Sequence, residues 1–411
     1  MRSIQDQLQA VLAAARPVPP LDVVLADAAG CVLAEDLRAP LSLPRHDLAA
    51  WDGYAVGTAS LDGVAPGRPV VLPVAHDLRA DAEEPVALAP GQAVRVSSGA
   101  PLPRGADAVV TLGWTDRGTA RVEVHRPVEP GAGVRAAGTT AREGEVVLPA
   151  GLRLGAPQIG LASALGLRRL RVHPRPRVVV LPVGDELLEP GSPARSGKVH
   201  DADGPLLATA VQAVGASAHR AAVAPDDRAQ LRETIEDQLV RADLLLVTGG
   251  LGDGTEDAVR DVLAPLGTVR FDHVAMSPGQ VVGFGTVAGE AGREEVPIFA
   301  LPGDPVAAYV CFEVFVRPAL RAMAGYSELF RTTVAATATS GWSVPSGLRQ
   351  FVPASLTGSP SEGYRVTPLG DPERPDLGSL ARANAFAVVG ERATSVEPGD
   401  TVHALVLDSR G

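Results

Sequence analysis

The sequence predicts a multidomain protein, α/β plus β, in which a doubly wound parallel α/β domain is joined to β-rich modules. Its 411 residues exceed what a single hydrophobic core usually holds. From Arg177 onward, buried apolar runs alternate with amphipathic helical segments, as in a parallel sheet with helices on both faces. Before that point, short apolar alternations are separated by Pro and Gly, which is typical of β modules.

The first part of the chain is expected to mix short helices and strands. Residues 3–16 predict a helix that a run of prolines ends. A short helix or a strand pair follows over 22–38, and residues 41–136 predict an all-β module. The stretch 147–172 contains a helix that Gly166 closes, followed by a strand.

The α/β part is predicted from four buried strands and the helices between them. Strands are expected over 177–184, 217–225, 243–250 and 297–305, and helices over 201–215, 228–242 and 306–325. Ligands of such sheets bind at the carboxyl ends of the strands. Three loops fall there, at 183–186, 249–257 and 301–305. Residues from about 327 onward return to a β pattern.

The loop at 249–257 is the strongest functional signal in the residues themselves. Its glycines, Gly249, Gly250, Gly252 and Gly254, follow a buried strand and precede a helix. A loop without side chains lets backbone N–H groups approach an anion beside a helix N-terminus. The spacing fits neither a Walker loop nor a dinucleotide fingerprint. A phosphate-bearing ligand and a tight turn before a capped helix both fit the pattern.

Composition excludes several classes of protein. The net charge of −11 argues against a nucleic-acid partner. Cys31 and Cys311 are far apart, which gives neither a disulfide framework nor a metal-ligand spacing. No apolar run approaches the roughly 20 residues that span a bilayer. The amphipathic, acid-containing N-terminus fits neither a signal nor a transit peptide, so a cytoplasmic protein without a membrane partner is expected.

Five motifs occur in one order along the chain and together carry a family resemblance. They are LAAWDGYAV, RVSSGAPLPRGADAVV, VGDELLEPG, the glycine loop ending in Asp257, and FALPGDPVAAYVCFEVFVRPAL. The chain resembles the molybdopterin molybdenumtransferases, the molybdenum insertases that include the gephyrin E-domain. The resemblance covers nearly all 411 residues.

The resemblance implies an architecture and a reaction. It implies an elongated linking domain at 1–44 and 137–175, a β module at 45–136, a molybdopterin-binding α/β domain at 176–326 and a C-terminal β-barrel-like domain at 327–411. It also implies a homodimer, with the active site between the α/β domain of one protomer and the β module of the other. The reaction would insert molybdate into adenylylated molybdopterin with Mg²⁺, releasing AMP and the molybdenum cofactor.

The resemblance also implies site residues, each with a structural alternative. Asp52, Glu186 and Asp257 match catalytic positions, although Asp52 could form an Asx-turn before Gly53. The substrate-binding positions are Ser98, Gly249, Gly250, Gly252, Gly254, Gln280, Pro302, Gly303, Asp304 and Arg349. The positions that would hold a metal are Asp185, Glu186, Asp226 and Asp257. Helix capping is the alternative for Asp226 or its neighbour Asp227.

Several positions depart from the family pattern, and most departures remove positive charge or add negative charge. Ser277 and Gln280 stand where the family has lysines, and Asp304 and Asp203 stand where it has asparagines. A strongly anionic ligand would bind such a pocket less well. Three interpretations remain open: a working insertase, a paralogue that binds a molybdopterin-like ligand without catalysis, and an interaction protein on the same fold.

Overall fold

The computed structural model describes residues 1–65, 67–251, 257–266, 268–287 and 295–407. The chain begins with helix α1 (Ile4–Ala14), whose first turn is capped by Ser3: the hydroxyl accepts a hydrogen bond from the Asp6 N–H at 3.0 Å. It is followed by β1 (Leu21–Val24), α2 (Leu25–Ala28), β2 (Val32–Leu33) and β3 (Leu37–Arg38).

A five-stranded sheet forms the β module. Its region contains β4 (Leu48–Ala49), β5 (Gly53–Val56), β6 (Val70–Leu78), β7 (Ala93–Val96), β8 (Ala108–Thr111), β9 (Arg121–Val124) and β10 (Val134–Arg135). The order in the sheet is β8-β5-β7-β6-β9, and β6 with β7 is its parallel pair. Tyr54 and Val56 on β5 are fully buried, so this strand lies at the centre of the module.

The segments on either side of the β module pair with each other. The second segment contains β11 (Val146–Leu148), α3 (Ala156–Ala164) and β12 (Arg169–His173). Strand β12 lies between β1 and β2, and β11 pairs with β3. Strand-to-strand pairing therefore joins parts of the chain that are more than 100 residues apart.

The α/β region follows directly. Its strands are β13 (Arg177–Pro182), β14 (Leu187–Leu188), β15 (Val199–His200), β16 (Ser217–Arg220), β17 (Leu244–Thr248), β18 (Arg270–His273), β19 (Met276–Ser277), β20 (Val281–Val287) and β21 (Val296–Leu301). Its helices are α4 (Asp203–Val214), α5 (Arg228–Leu239), α6 (Ala258–Leu263), α7 (Pro305–Cys311) and α8 (Arg317–Met323). A π-helical turn at Phe312–Val316 joins α7 to α8, so the helix predicted over 306–325 is interrupted.

The main sheet has the predicted parallel core with helices on both faces, and two antiparallel strands extend it at one edge. Its order is β16-β13-β17-β21-β20-β18; the first four strands are parallel, and β20 and β18 are antiparallel. Helices cover both faces. One apolar core contains Val180, Leu246 and Phe312, and the other contains Leu181, Val247 and Ile235. Helix α1 adds Ile4 and Val11 to the first core.

The C-terminal region closes into a five-stranded barrel. Its elements are β22 (Thr333–Ala338), β23 (Trp342–Ser343), β24 (Arg349–Ser359), β25 (Gly363–Pro368), α9 (Leu377–Arg382), β26 (Ala385–Val389), β27 (Ser395–Val396) and β28 (Thr401–Val406). The ring runs β24-β25-β22-β28-β26, and β26 pairs back with β24. Strand β19 adds to β24 and so connects the barrel to the α/β region. In the described part of the chain, no helix combines the length and apolarity needed to cross a bilayer.

Candidate functional site

Three loops meet at the carboxyl ends of the central parallel strands. The Val183 N–H donates to the Thr248 carbonyl at 2.9 Å, and the Gly249 N–H donates to the Leu301 carbonyl at 3.3 Å. Gly249 has a φ of +91°, and a Cβ there would lie 2.2 Å from the Val183 oxygen. A Cβ on Gly303 would lie 3.2 Å from the Gly249 Cα. Backbone thus approaches backbone so closely that side chains are excluded.

The structure therefore groups several predicted substrate-binding residues. Gly249, Gly250, Pro302, Gly303 and Asp304 all lie in these contacting loops. Gly252 and Gly254 fall outside the described residues. A groove of bare backbone at the carboxyl edge of a parallel sheet suits a ligand that carries phosphates.

A buried carboxyl group links these loops to helix α4. The Thr248 hydroxyl lies 2.6 Å from Asp203 Oδ2 and 3.1 Å from the Pro302 carbonyl oxygen. Burial raises the pKa of Asp203, the Thr248 hydrogen bond opposes this, and the charges of Asp201 and Asp304 add to it, so that the pKa is about 7. When Asp203 holds its proton, it can donate to Thr248, whose own proton then goes to Pro302.

Asp257 and Asp304 both cap helices at this edge. Asp304 Oδ1 accepts from the Ala307 N–H at 2.9 Å at the start of α7. Asp257 Oδ1 accepts from the Arg260 N–H at 2.9 Å at the start of α6. The second oxygen of Asp257 is buried and has no hydrogen-bond partner among the described residues. Burial raises the pKa of this carboxyl, and Arg260 Nε lies 3.5 Å from its second oxygen, which leaves that oxygen with an ion pair but without a hydrogen bond.

Asp185 and Asp226 form a reciprocal pair. The Asp185 N–H donates to Asp226 Oδ2 at 2.9 Å, and the Asp226 N–H donates to Asp185 Oδ1 at 3.4 Å. One oxygen of each carboxylate remains outside this pair. Glu186, the next residue, is exposed. This part of the loop therefore presents an acidic face to solvent.

The acidic pair fits a partly hydrated Mg²⁺ better than an all-protein metal centre. Among the described residues, no three His, Cys, Asp or Glu side chains converge as a metal centre. Mg²⁺ usually keeps several waters and takes one or two carboxylates together with substrate phosphates. The free oxygens of Asp185 and Asp226 match that need. Asp257 and Glu186 do not join them in a cluster of described ligands.

Asp52 and Ser98 contact each other in the β module. The Ser98 N–H donates to Asp52 Oδ1 at 2.8 Å, and the Ser98 hydroxyl donates to the Ala50 carbonyl at 3.1 Å. Both side chains are exposed. In the described part of the chain, no hydrogen bond or ion pair joins Asp52 to the acids of the α/β region. The described contacts therefore do not join the predicted residues of the β module to those of the α/β region.

Gln280 and Arg349 lie where the barrel meets the α/β region. Met276 and Ser277 pair with Arg349 and Gln350, while the exposed Gln280 follows in the same loop. The Arg349 guanidinium lies 3.2 Å from the Glu391 carboxylate. Glu391 therefore pairs with the charge of Arg349 within the barrel. Arg349 then offers an anion less attraction than an unpaired arginine would.

Lys198 is a site residue that the sequence reasoning missed. It is the only lysine in the 411 residues. Its ammonium group donates to the backbone carbonyl of Asp185, in the loop that carries the acidic pair. The sequence does contain a signal for this residue, because a single lysine occurs fourteen residues after Gly184 in a chain that otherwise uses arginine. Asp203 and Thr248 are the other residues whose joint role only the structure shows.

Comparison with known proteins agrees with this arrangement. The MoeA N-terminal region (domain I and II) matches residues 2–166, a probable molybdopterin binding domain matches 179–322, and the MoeA C-terminal region (domain IV) matches 335–407. The molybdopterin biosynthesis moea protein from Pyrococcus horikosii superimposes with a TM-score of 0.83 at 27% identity, covering 99% of each chain.

Relatives of known name extend over the whole sequence. Molybdopterin molybdenumtransferase 2 of Mycobacterium tuberculosis is 38% identical, over 97% of this chain and 98% of its own. Molybdopterin molybdenumtransferase 1 of the same organism is 38% identical over 100% of both chains. With this identity along its full length and all three regional models matched in order, the chain belongs to the molybdopterin molybdenumtransferase family.

Proposed function

We propose that this chain inserts molybdate into adenylylated molybdopterin, releasing AMP and the molybdenum cofactor. The observation that carries the proposal is the contact between the Gly249 and Gly303 loops. Four carboxyl groups accompany these loops: Asp185, Asp203, Asp226 and Asp257. Bare backbone suits the phosphates of the ligand, and carboxylates suit a magnesium ion and proton transfer. The full-length relatives named molybdopterin molybdenumtransferase support the assignment.

Each group has a proposed task. Backbone N–H groups of the 249–250 and 303 loops and the Lys198 ammonium would hold ligand phosphates. Asp185 and Asp226 would hold Mg²⁺, which neutralises phosphate charge when bound. Glu186, exposed beside them, would orient molybdate and the adenylyl phosphate for exchange. Asp257 would contribute its second oxygen, which has no described hydrogen bond, to the same cavity.

The second protomer would complete the site. Asp52 and Ser98 are exposed, and no described hydrogen bond or ion pair joins them to the acids of the α/β region. We therefore propose that they face those acids across a homodimer. The protein would act in the cytoplasm, with a pterin as its small-molecule partner and without a nucleic-acid or membrane partner.

AMP release tests the proposal. The purified protein is mixed with adenylylated molybdopterin, magnesium and molybdate, and AMP is measured over time. Glu186→Ala should abolish AMP release and leave the melting temperature nearly unchanged, because Glu186 is exposed. Glu236→Ala is the matched control, since Glu236 is an exposed helical glutamate whose ion-pair partner among the described residues is Arg232. A large loss of melting temperature in Glu186→Ala would mean that Glu186 is structural.

One observation favours a second candidate function. Ser277, Gln280 and Asp304 replace family lysines and an asparagine, so the cavity attracts anions less strongly. A catalytically impaired paralogue would bind adenylylated molybdopterin in calorimetry without releasing AMP. An interaction protein that kept the fold would not bind it at all. Binding followed by AMP release excludes both.

A further inference from the structure

A cationic cavity lies at the opposite end of the α/β region from the candidate site. Helices α4 and α7 begin at the carboxyl ends of the strands, so α4 and α8 end at the other edge of the sheet. Val214 at the end of α4 and Arg321 on α8 line a cavity of about 370 Å³ there. Arg153, from the segment before α3, also lines this cavity. This cavity is therefore separate from the glycine loops.

Positive charge is in excess in this cavity. Arg153, Arg317 and Arg321 line it, and Glu328 is the carboxylate among the lining residues. The whole chain carries a net charge of −11, so a local surplus of guanidinium groups runs against its overall balance. Such groups are the usual partners of phosphate oxygens, which they bind through paired N–H donors.

The arginines keep hydrogen-bonding capacity for a ligand. Glu313, the buried acid nearest Arg317, is held by Arg331 through contacts of 2.6 and 2.8 Å. Arg317 Nε is left 3.6 Å from Glu313 and has no hydrogen-bond partner among the described residues. The Arg153 guanidinium makes no hydrogen bond or ion pair with any residue that the structure describes. The exposed Arg153 is therefore the group with the most capacity left for a ligand, while the buried Arg317 Nε has only a loose ion pair with Glu313.

The third arginine is held in place. The Arg321 Nε donates to the Glu328 carbonyl, and its guanidinium carbon lies 4.0 Å from the centre of the Tyr326 ring. This contact fixes the plane of the group. Burial lowers the pKa of Arg321 against the raising effect of Tyr326 and Glu328, and the positive charges of Arg153 and Arg331 also lower it. A bound anion would relieve this mutual repulsion.

A second cavity lies next to the first. It has a volume of about 430 Å³, and Arg153 lines both cavities. Arg175 stands on its other side, where its guanidinium donates to the Ala29 carbonyl at 2.8 Å. The remaining described lining residues, which include Gly30, Leu154 and Gln158, carry no acidic side chain. The two neighbouring cavities, which share Arg153 and are together called the groove below, are thus both lined by arginines.

We propose that this groove, lined by Arg153, Arg175, Arg317 and Arg321, is a binding site for a phosphate-class ligand that carries more than one anionic group. Guanidinium groups spaced along a groove select a polyanion over a single anion, because each phosphate finds its own donors. The groove joins the segment around α3 to the α/β region, so its ligand would connect the two.

Calorimetry at low ionic strength with inorganic tripolyphosphate and with inorganic phosphate tests the proposal. The wild-type protein should bind tripolyphosphate saturably and more tightly than phosphate. Arg153→Gln and Arg321→Gln should each weaken tripolyphosphate binding about ten-fold, the loss expected for one charged hydrogen-bonded contact. Arg153 is exposed, so this variant should fold, and its melting temperature verifies that it does.

Two controls place the ligand. Arg241→Gln removes an exposed arginine that lines neither cavity and should bind within two-fold of the wild type. Lys198→Gln alters the candidate active site, which is itself proposed to bind phosphates, and should leave unchanged the tripolyphosphate binding that depends on Arg153. Equal binding by Arg153→Gln and the wild type, absence of saturable binding, or loss of binding in Lys198→Gln alone would each overturn the groove as the site.

Discussion

Asp203 shows how one buried side chain can make the whole fold sensitive to pH. Its carboxyl is 6% exposed and has a pKa of about 7, well above its ordinary value of 3.8. Between these values the folded state keeps a proton that the unfolded state has released, so stability falls as pH rises through the window. The loss is complete above about pH 7.

Asp203→Asn should remove this dependence. The amide mimics the protonated carboxyl. As pH rises from 5 to 7, the free energy of unfolding of the variant should therefore increase relative to that of the wild type, by roughly 1.4 kcal/mol per pH unit at most. Above pH 7 the gain should level off. Urea unfolding at pH 5, 6, 7 and 8 measures it. Parallel stability curves for the two proteins would show that Asp203 is charged throughout.

Lys198 supplies the candidate site with an ammonium group beside the acidic loop. Lys198→Gln should weaken binding of adenylylated molybdopterin about ten-fold, because a charged contact to phosphate is lost. Lys198→Arg should retain most of the affinity. Calorimetric dissociation constants of the three proteins decide the matter, and unchanged affinity in Lys198→Gln would remove this lysine from the site.

The sequence predicted site positions but could not predict their environments. The segments carrying Asp185, Asp226 and Gly303 were placed correctly at the ends of parallel strands, because that edge follows from strand–helix alternation. The burial of Asp203 depends on the rotamers of Thr248 and on the approach of Pro302, from residues 45 and 99 positions away. No local pattern contains that information.

At the scale of elements, the helix that begins at Pro305 depends on its cap. Asp304→Ala should lower the free energy of unfolding by about 1 kcal/mol, since the Ala307 N–H loses its acceptor. Asp304→Asn should keep the stability, because asparagine caps helices equally well. It should also tighten the binding of an anionic ligand, as a negative charge leaves the loop.

Urea unfolding and ligand calorimetry on both Asp304 variants separate these effects. If Asp304→Asn binds adenylylated molybdopterin no more tightly than the wild type, the charge at 304 does not face the ligand. A stability loss in Asp304→Asn equal to that in Asp304→Ala would instead show that the cap depends on the ionised group.

The sheet shows where element prediction from sequence reached its limit. Strands β13, β17 and β21 are almost fully buried, so their continuous apolar runs predicted them well. Strand β20 was missed because Gly283 and Gly285 weaken its pattern. Those glycines are needed in the folded state, since Phe271 and the backbone of Thr268 occupy the space of their side chains. The direction of β20 follows from a tertiary contact with β21, which periodicity does not report.

At the scale of the whole molecule, the proposed dimer makes a sharp prediction. Asp52→Ala and Glu186→Ala should each be inactive alone, because each removes a different part of a shared site. Co-expression of the two variants should restore up to about one quarter of wild-type AMP release. Half of the dimers then contain one copy of each variant, and each of these mixed dimers has one intact site of two.

Co-expression of Asp52→Ala with Asp257→Ala should behave alike, whereas Glu186→Ala with Asp257→Ala should stay inactive, since those two residues belong to the same half. Sedimentation measurements confirm that the variants remain dimeric. Recovery in the second pair, or none in the first, would contradict a site shared between protomers.

The solitary lysine has a practical consequence. An acylating reagent that modifies ε-amines can attach to the folded chain only at Lys198 and the N-terminal amine. A fluorophore placed there would stand beside Asp185 and the acidic loop without any engineered cysteine. Protection of the Lys198 amine from acylation by a bound nucleotide or pterin would then report occupancy of the candidate site, without any substitution in the sequence.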